Sequence, residues 1–251
     1  MKKLFLLCGL PRSGGTWLAN ILNQNPSIYV TPSSPFVEML YRHWEIWHDP
    51  VMDETMAGDK IRAIKHSYLK KLTELFYSEL TPKPIVFDNR NAWQTIPNIE
   101  MYENVYGKLP KIICPVRNVE EIAASFISLC RKNGKEWKTH DTCDVFWYSI
   151  NSLIATHKSK YRECLLLVEY KDLTDNPDDT LTKIYEFIDE PNYQHDFDNI
   201  LVDETYKKVE KILGLEGLHK IEQGIVRSKT NPREFLNDEE ISFYQEQTFW
   251  N

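Results

Sequence analysis

LFLLCGLPRSGGTWL (residues 4–18) carries an apolar run straight into a loop with two spaced glycines. The frame G-x-x-x-x-G-K-[ST] cradles phosphates on backbone amides where a strand gives way to a helix. Gly9 and Gly14 keep that spacing and Thr16 closes it, but Gly15 stands where the lysine belongs. That lysine reaches the β- and γ-phosphates of a nucleoside triphosphate. The loop is thus an anion cradle that lacks the triphosphate reader. The amides of Gly14, Gly15, Thr16 and Trp17 are expected to point at an anion along the following helix axis, and Arg12 adds a forked, permanent positive charge.

Downstream, Trp17, Leu18, Ile21 and Leu22 recur at helical spacing until NQNP stops them. Apolar strand-like runs return at 28–30, PIVFD (84–88), KIICPV (111–116) and CLLLVEY (164–170). Between them lie segments that read as helices: Phe36 to His48, Glu54 to Leu80, the stretch after Arg117, Asp141 to Lys160, and a helix that Asn176 caps with Pro177 in its first turn. Asn118 and Glu121 stand at capping-box spacing. Apolar strands alternating with amphipathic helices describe an α/β domain whose parallel sheet is covered on both faces. From about residue 191 the pattern weakens into polar segments, and with no repeat or linker in view the expectation is a single domain over 1–251.

With 251 residues and 42% hydrophobic content the chain can bury a substantial core. Thirty basic against 37 acidic residues, net −7, argue against a nucleic-acid polymer as partner. A small anion remains compatible with that charge, because local cations and amides are enough to bind it. The opening MKKLFLLCGL has an apolar core of only Leu4 to Leu7, too short for a signal peptide, and Leu7 before Cys8 is not small. No run is long enough to span a bilayer, so the expectation is a soluble, cytoplasmic chain. The five cysteines are scattered without a C-x-x-C pair, and Cys8, Cys114 and Cys164, in or beside apolar strand-like runs, read as reduced, buried thiols.

Ligands of open parallel sheets bind beyond the carboxyl ends of the strands, and three features sit at such ends. The 9–16 loop is the first. The second is VRNVEEIAAS, where Arg117 ends a strand and Ser125 follows eight residues later. Eight residues turn a helix by about 800°, so the two side chains can converge on one group if the arginine folds back. An arginine and a hydroxyl together suit a phosphate monoester. Tyr170, at the end of the last strand, is the third, placed to stack on or hydrogen-bond a base.

In order and spacing these elements resemble the sulfotransferases that use 3′-phosphoadenosine 5′-phosphosulfate, over roughly residues 3 to 190. PRSGGTWL is similar to that family's 5′-phosphosulfate loop, RNVEEIAAS to its 3′-phosphate motif, and LLLVEYKDLTDNPDDTLTKIYEFI to its late strand–helix segment. The form resembled most is the PRSG branch, which includes tyrosylprotein and many carbohydrate sulfotransferases. The resemblance implies a three-layer α/β/α fold of the P-loop nucleoside-triphosphate-hydrolase type. It implies 3′-phosphoadenosine 5′-phosphosulfate as co-substrate, adenosine 3′,5′-bisphosphate as product, and no metal. The donor has no γ-phosphate, which makes the missing lysine intelligible.

The site residues implied are Arg12, Ser13, Gly14, Gly15, Thr16 and Trp17 for the 5′ end, and Arg117 and Ser125 for the 3′-phosphate. Tyr170 is implied on the adenine side, and Arg227 and Lys229 in IVRSKTNP as a basic segment returning over the nucleotide. Arg12 is also the expected stabiliser of charge on the leaving oxygen. For the general base the chain departs from related branches. TPSSP (31–35) lacks the glutamate found near that place, and FDNRNAW (87–93) has Arg90 where cytosolic members carry a histidine. Glu38 and Asp88 are the remaining carboxylates nearby, with His43 as a further option. The acceptor is expected to be a small molecule, carbohydrate or peptide, with the aromatics of FVEMLYRHWEIW (36–47) available to stack on it. A small-molecule kinase and a non-catalytic nucleotide-binding module are the alternatives.

Overall fold

The computed structural model describes residues 2–55, 59–221, 224–225 and 230–250. In chain order the elements are β1 (Lys3–Leu7), α1 (Gly15–Leu22), β2 (Ile28–Val30), α2 (Phe36–Ile46), α3 (Pro50–Thr55), α4 (Asp59–Leu80), β3 (Ile85–Asn89), α5 (Ile96–Tyr106), β4 (Ile112–Val116), α6 (Val119–Lys132), α7 (Asp141–His157), β5 (Leu165–Glu169), α8 (Tyr170–Asp175), α9 (Pro177–Ile188), α10 (Thr205–Leu213) and α11 (Asp238–Gln245). The five strands form one parallel sheet in the order β2-β3-β1-β4-β5.

Alternate residues of each strand enter one of two separate cores, as the period of two requires. Leu6, Cys8, Val86, Ile112, Cys114 and Val116 pack with α2, α4, α5, α6 and α7 on one face. Phe5, Leu7, Ile28, Ile85, Phe87 and Ile113 pack with α1 and α9 on the other. Burial on both faces explains why the strands read as continuous apolar runs rather than alternating ones. The result is a helix–sheet–helix sandwich, the three-layer α/β fold expected from the sequence.

Several local expectations shift. The helix expected from Glu54 is divided between α3 and α4, with 56–58 outside the described residues. Asn118 precedes α6 but makes no side-chain cap. Glu121, its expected capping-box partner, instead accepts a bond from Arg117 one turn earlier. Asn176 likewise precedes α9 without a side-chain cap, and Pro177 opens that helix as expected. The terminal segment adds α10 and α11 and joins the sandwich: Ile200 enters the α1–α9 core, and Leu215, Leu236 and Tyr244 enter the other. No helix among the described residues is long and apolar enough to cross a membrane.

The sheet order places a switch point between β1 and β4, because the chain leaves β1 toward β2 and β3 and later adds β4 on the other side. Loops diverging from such a point leave a crevice at the carboxyl ends of the strands. A cavity of about 1970 Å³ opens there, lined by Arg12, Gly15, Arg117, Ser125, Glu38 and Arg90 among others.

Candidate active site

Gly9 turns the chain out of β1 with φ +123°, and a Cβ there would lie 2.5 Å from the Pro115 carbonyl oxygen. Only glycine fits such an approach in that conformation. Pro115 has no N–H, yet its carbonyl takes two donors from the loop: the Leu10 amide at 2.9 Å and the Ser13 hydroxyl at 2.9 Å. Ser13 is fully buried and also bonds to the Leu10 carbonyl. Its role is therefore to fold the loop, not to face a ligand through its hydroxyl. Gly14 adopts φ +90° against the Tyr170 ring, and α1 begins at Gly15. The first amides of α1 have no partner within the helix and point out of its N-terminus. Space beside Gly15 is open, with nothing within 4 Å of the place a Cβ would take. The missing lysine is therefore a chemical choice rather than a steric one.

Arg12 has φ +59°, an uncommon conformation for a non-glycine residue. It carries the guanidinium across to α6, where Nε donates to Ser125 Oγ at 3.0 Å, while a terminal nitrogen donates to the Leu218 carbonyl in the segment after α10. Arg117, from the end of β4, donates from Nε to Glu121 Oε2 at 2.8 Å and from a terminal nitrogen to the Arg12 carbonyl at 3.3 Å. Its guanidinium lies 4.5 Å from the centre of the Tyr170 ring. Arg117 and Ser125 are 6% and 5% exposed, and Arg12 stands between them, bonded by its side chain to Ser125 and by its carbonyl to Arg117. The two arginines share one confined region, and burial followed by the Arg117 charge draws the Arg12 guanidinium below its ordinary pKa. Two cations held together while partly desolvated favour an added anion.

Tyr170 is thus the platform under Arg117 and the wall against Gly14. Trp17 lines the cavity and stacks on Phe197 with ring centroids 5.8 Å apart. Thr16 places its hydroxyl 3.1 Å from His219 Nδ1. Arg227 and Lys229 lie outside the described residues.

The expected bases part company. Asp88 does not face the crevice as expected but is fully buried on the α2–α7 face. Val86, two residues earlier, packs on that same face. Tyr77 Oη and the Trp93 indole N–H each donate to the Asp88 carboxylate at 2.6 Å. Burial pushes the Asp88 pKa up, against the opposing effect of those bonds. A carboxylate enclosed in this way holds α4 and the turn after β3 together. His43 also stays out of the cavity lining, its Nδ1 3.1 Å from the Tyr68 hydroxyl. Glu38 does line the cavity, and Arg90 Nε donates to its Oε1 at 2.6 Å. Glu38 Oε2 is buried without a hydrogen-bond partner among the described residues. Tyr41 and Tyr148 line the same end, whereas Phe36 is core.

Sequence reasoning missed the 214–221 segment. Gly217 and His219 donate their amides to the two oxygens of Glu210 at 3.1 and 2.6 Å, which seats Leu218 and His219 over the loop. Burial holds the His219 pKa down at about 4. The paired glycines of LGLEGLH were the only local signal of a tight loop there.

Residues 5–195 match the family model described as Sulfotransferase family. The chain belongs to the sulfotransferase family. Among solved structures, the sulfotransferase STF9 from Mycobacterium avium superposes with a TM-score of 0.52 at 14% identity, covering 98% of this chain and 76% of that one. The sulfotransferase domain of the Synechococcus PCC 7002 olefin synthase gives 0.52 at 16% identity, over 100% of this chain and 95% of that one. The corresponding domain of the curacin biosynthetic pathway gives 0.51 at 16% identity, over 87% and 94%. At such identities the likeness is one of fold. No curated protein matches the chain. As a member of this family the protein is a transferase enzyme.

Proposed function

We propose that this sulfotransferase moves a sulfuryl group from 3′-phosphoadenosine 5′-phosphosulfate to a hydroxyl or amine of its acceptor. What carries this is the convergence of Arg12, Arg117 and Ser125 into one buried cationic cluster beside a phosphate loop without its lysine. A triphosphate needs a reader at position 15, whereas a 3′-phosphate needs a second anion site. The chain has the second feature and not the first.

In this reading the α1 amides hold the 5′ end and Arg117 with Ser125 the 3′-phosphate. Arg227 and Lys229 are assigned to a basic segment over the nucleotide from the sequence resemblance alone. The donor supplies an activated sulfur that an acceptor oxygen or nitrogen attacks in line. Arg12 reaches the 3′ side through Ser125, so its removal is expected to weaken binding as well as any stabilisation of the leaving oxygen. Glu38 takes the acceptor proton, oriented by Arg90. Asp88 keeps a structural part. The whole of 1–251 acts as one unit, consistent with the terminal residues found in both cores. A small molecule, sugar or peptide fits the size of the cavity.

Calorimetric titration with adenosine 3′,5′-bisphosphate, ADP and ATP–Mg²⁺ tests the nucleotide. The bisphosphate is expected to bind most tightly. Equal affinity for ADP sinks the assignment, and a preference for ATP–Mg²⁺ points to a kinase. Transfer from labelled donor to a panel of alcohols, sugars, amines and tyrosine peptides then separates an enzyme acting on those classes from a module that only binds.

A further inference from the structure

At the floor of the same cavity, outside the cluster that binds anions, two thiols face each other. The β1–β4 register pairs Leu6 with Ile112 and Leu7 with Ile113. The ladder continues past the ends of that pairing through Cys8 N–H to the Ile113 carbonyl at 3.0 Å. Cys8 and Cys114 therefore stand side by side on one face of the sheet, with their sulfurs 3.6 Å apart. Neighbouring strands lie about 4.8 Å apart, within the Cα separation of about 4.4–6.8 Å that a disulfide spans. Cys8 lines the cavity and is 5% exposed, whereas Cys114 is fully enclosed. No part of the transfer reaction uses either thiol.

We propose that Cys8 and Cys114 are a redox modification site, which a hydroperoxide entering the nucleotide cavity converts to a disulfide beneath the phosphate loop. In the first step Cys8 gives up its proton and its thiolate attacks the peroxide oxygen, the O–O bond breaks, and the proton ends on the departing oxygen. Cys8 becomes a sulfenic acid and the peroxide is reduced to water, or to the alcohol if it is organic. In the second, the Cys114 thiol attacks the Cys8 sulfur. An S–S bond forms, the S–O bond breaks, and the hydroxyl leaves as water with the Cys114 proton. Two electrons pass from the dithiol to one hydroperoxide. Burial, and then the neighbouring Cys114, hold the Cys8 thiol well above its ordinary pKa, which slows the first step. A resolving thiol in contact favours the second step through proximity.

The bond would act on the loop. Closing the sulfurs from 3.6 Å to about 2.05 Å draws together chain segments that run directly into Gly9 and Pro115. Those two segments run close together with only a glycine's room between them, since a Cβ added to Gly9 would lie 2.5 Å from the Pro115 oxygen. The same oxygen anchors Leu10 and Ser13. Oxidation is therefore expected to weaken binding of adenosine 3′,5′-bisphosphate by about tenfold, the equivalent of ~1.4 kcal/mol. Reductant should restore it.

The test treats the reduced full chain with hydrogen peroxide, blocks the remaining thiols and maps linked peptides by mass spectrometry. The expected result is a Cys8–Cys114 link, lost in Cys8→Ala and Cys114→Ala and kept in Cys130→Ala. The wild-type map decides the question even if either of the first two variants folds poorly. No such link, or only links through Cys130, Cys143 or Cys164, overturns the proposal. Saturating bisphosphate should slow the linkage by covering the cavity, an arm that rests on the proposed nucleotide. Linkage at an unchanged rate with bisphosphate demonstrably bound overturns entry through the cavity. Unchanged bisphosphate affinity after complete linkage overturns the effect on the loop. Failure of the bisphosphate to bind the reduced chain counts against the nucleotide assignment and leaves the peptide map to decide the dithiol.

Discussion

At one end of the cavity, Arg117 and Ser125 are almost wholly enclosed, and each is fixed by bonds to neighbours on other elements. At the other end, Glu38 and Arg90 are 42% and 45% exposed and hold each other through an ion pair. The first end is preorganised: backbone conformation, a stacked tyrosine and buried donors define it before any ligand arrives. An exposed pair is screened by water and worth little to stability, so its residues are free to serve chemistry. An anion site tolerates no looseness because its energy comes from donors already aimed. In the proposed reading the open end takes the acceptor, and a site that must release its product has less need of such rigidity.

The sharpest way to break this contrast is at Gly9. Gly9→Ala must take the left-handed strain of about 1–3 kcal/mol and also displace the Pro115 carbonyl. We expect several kcal/mol of lost stability in urea unfolding, with bisphosphate binding lost in step. A variant with unchanged stability would mean that the loop is not rigid.

Glu38→Gln addresses the open end. Removing the proposed base should cost ~10²–10⁴ in turnover, with stability and bisphosphate affinity near wild type. Near-normal rates across pH would remove Glu38 from the reaction. Arg117→Ala should lower bisphosphate affinity by a charged hydrogen bond of about 1.5–3 kcal/mol while changing ADP affinity little. Equal losses for both ligands would show that Arg117 does not read the 3′-phosphate.

His219 tests the cover over the closed end through pH. Its folded pKa of about 4 lies below the ordinary 6.5, so the unfolded chain takes up the proton first as pH falls. Its contribution is complete above 6.5 and is lost between 6.5 and about 4, at most about 3 kcal/mol. His219→Gln should flatten that part of the stability–pH curve, and an unchanged curve would mean the ring is solvated. The smallest effect is expected at Gly15→Ala. With open space and a helical position, alanine should stabilise by no more than about 1 kcal/mol. A large loss there would make Gly15 as constrained as Gly9.

The sequence by itself determined the layered fold, because strands buried on both faces must be apolar throughout and their covering helices must be apolar on one side. It also located the loop and the Arg117–Ser125 spacing, since glycine geometry and helical periodicity are local properties. Tertiary structure alone decided which carboxylate reaches the cavity. Asp88 and Glu38 look alike in sequence, but Tyr77 and Trp93 arrive from other elements to enclose Asp88. It alone joined Arg12 to Ser125, 113 residues away. It alone seated 214–221 on the loop through Glu210, where scattered anchors such as Leu215 leave no period to read. The physical reason is common to all three. Backbone conformation and burial pattern are written in neighbouring residues, whereas the partner of a polar group is set by which distant element packs against it.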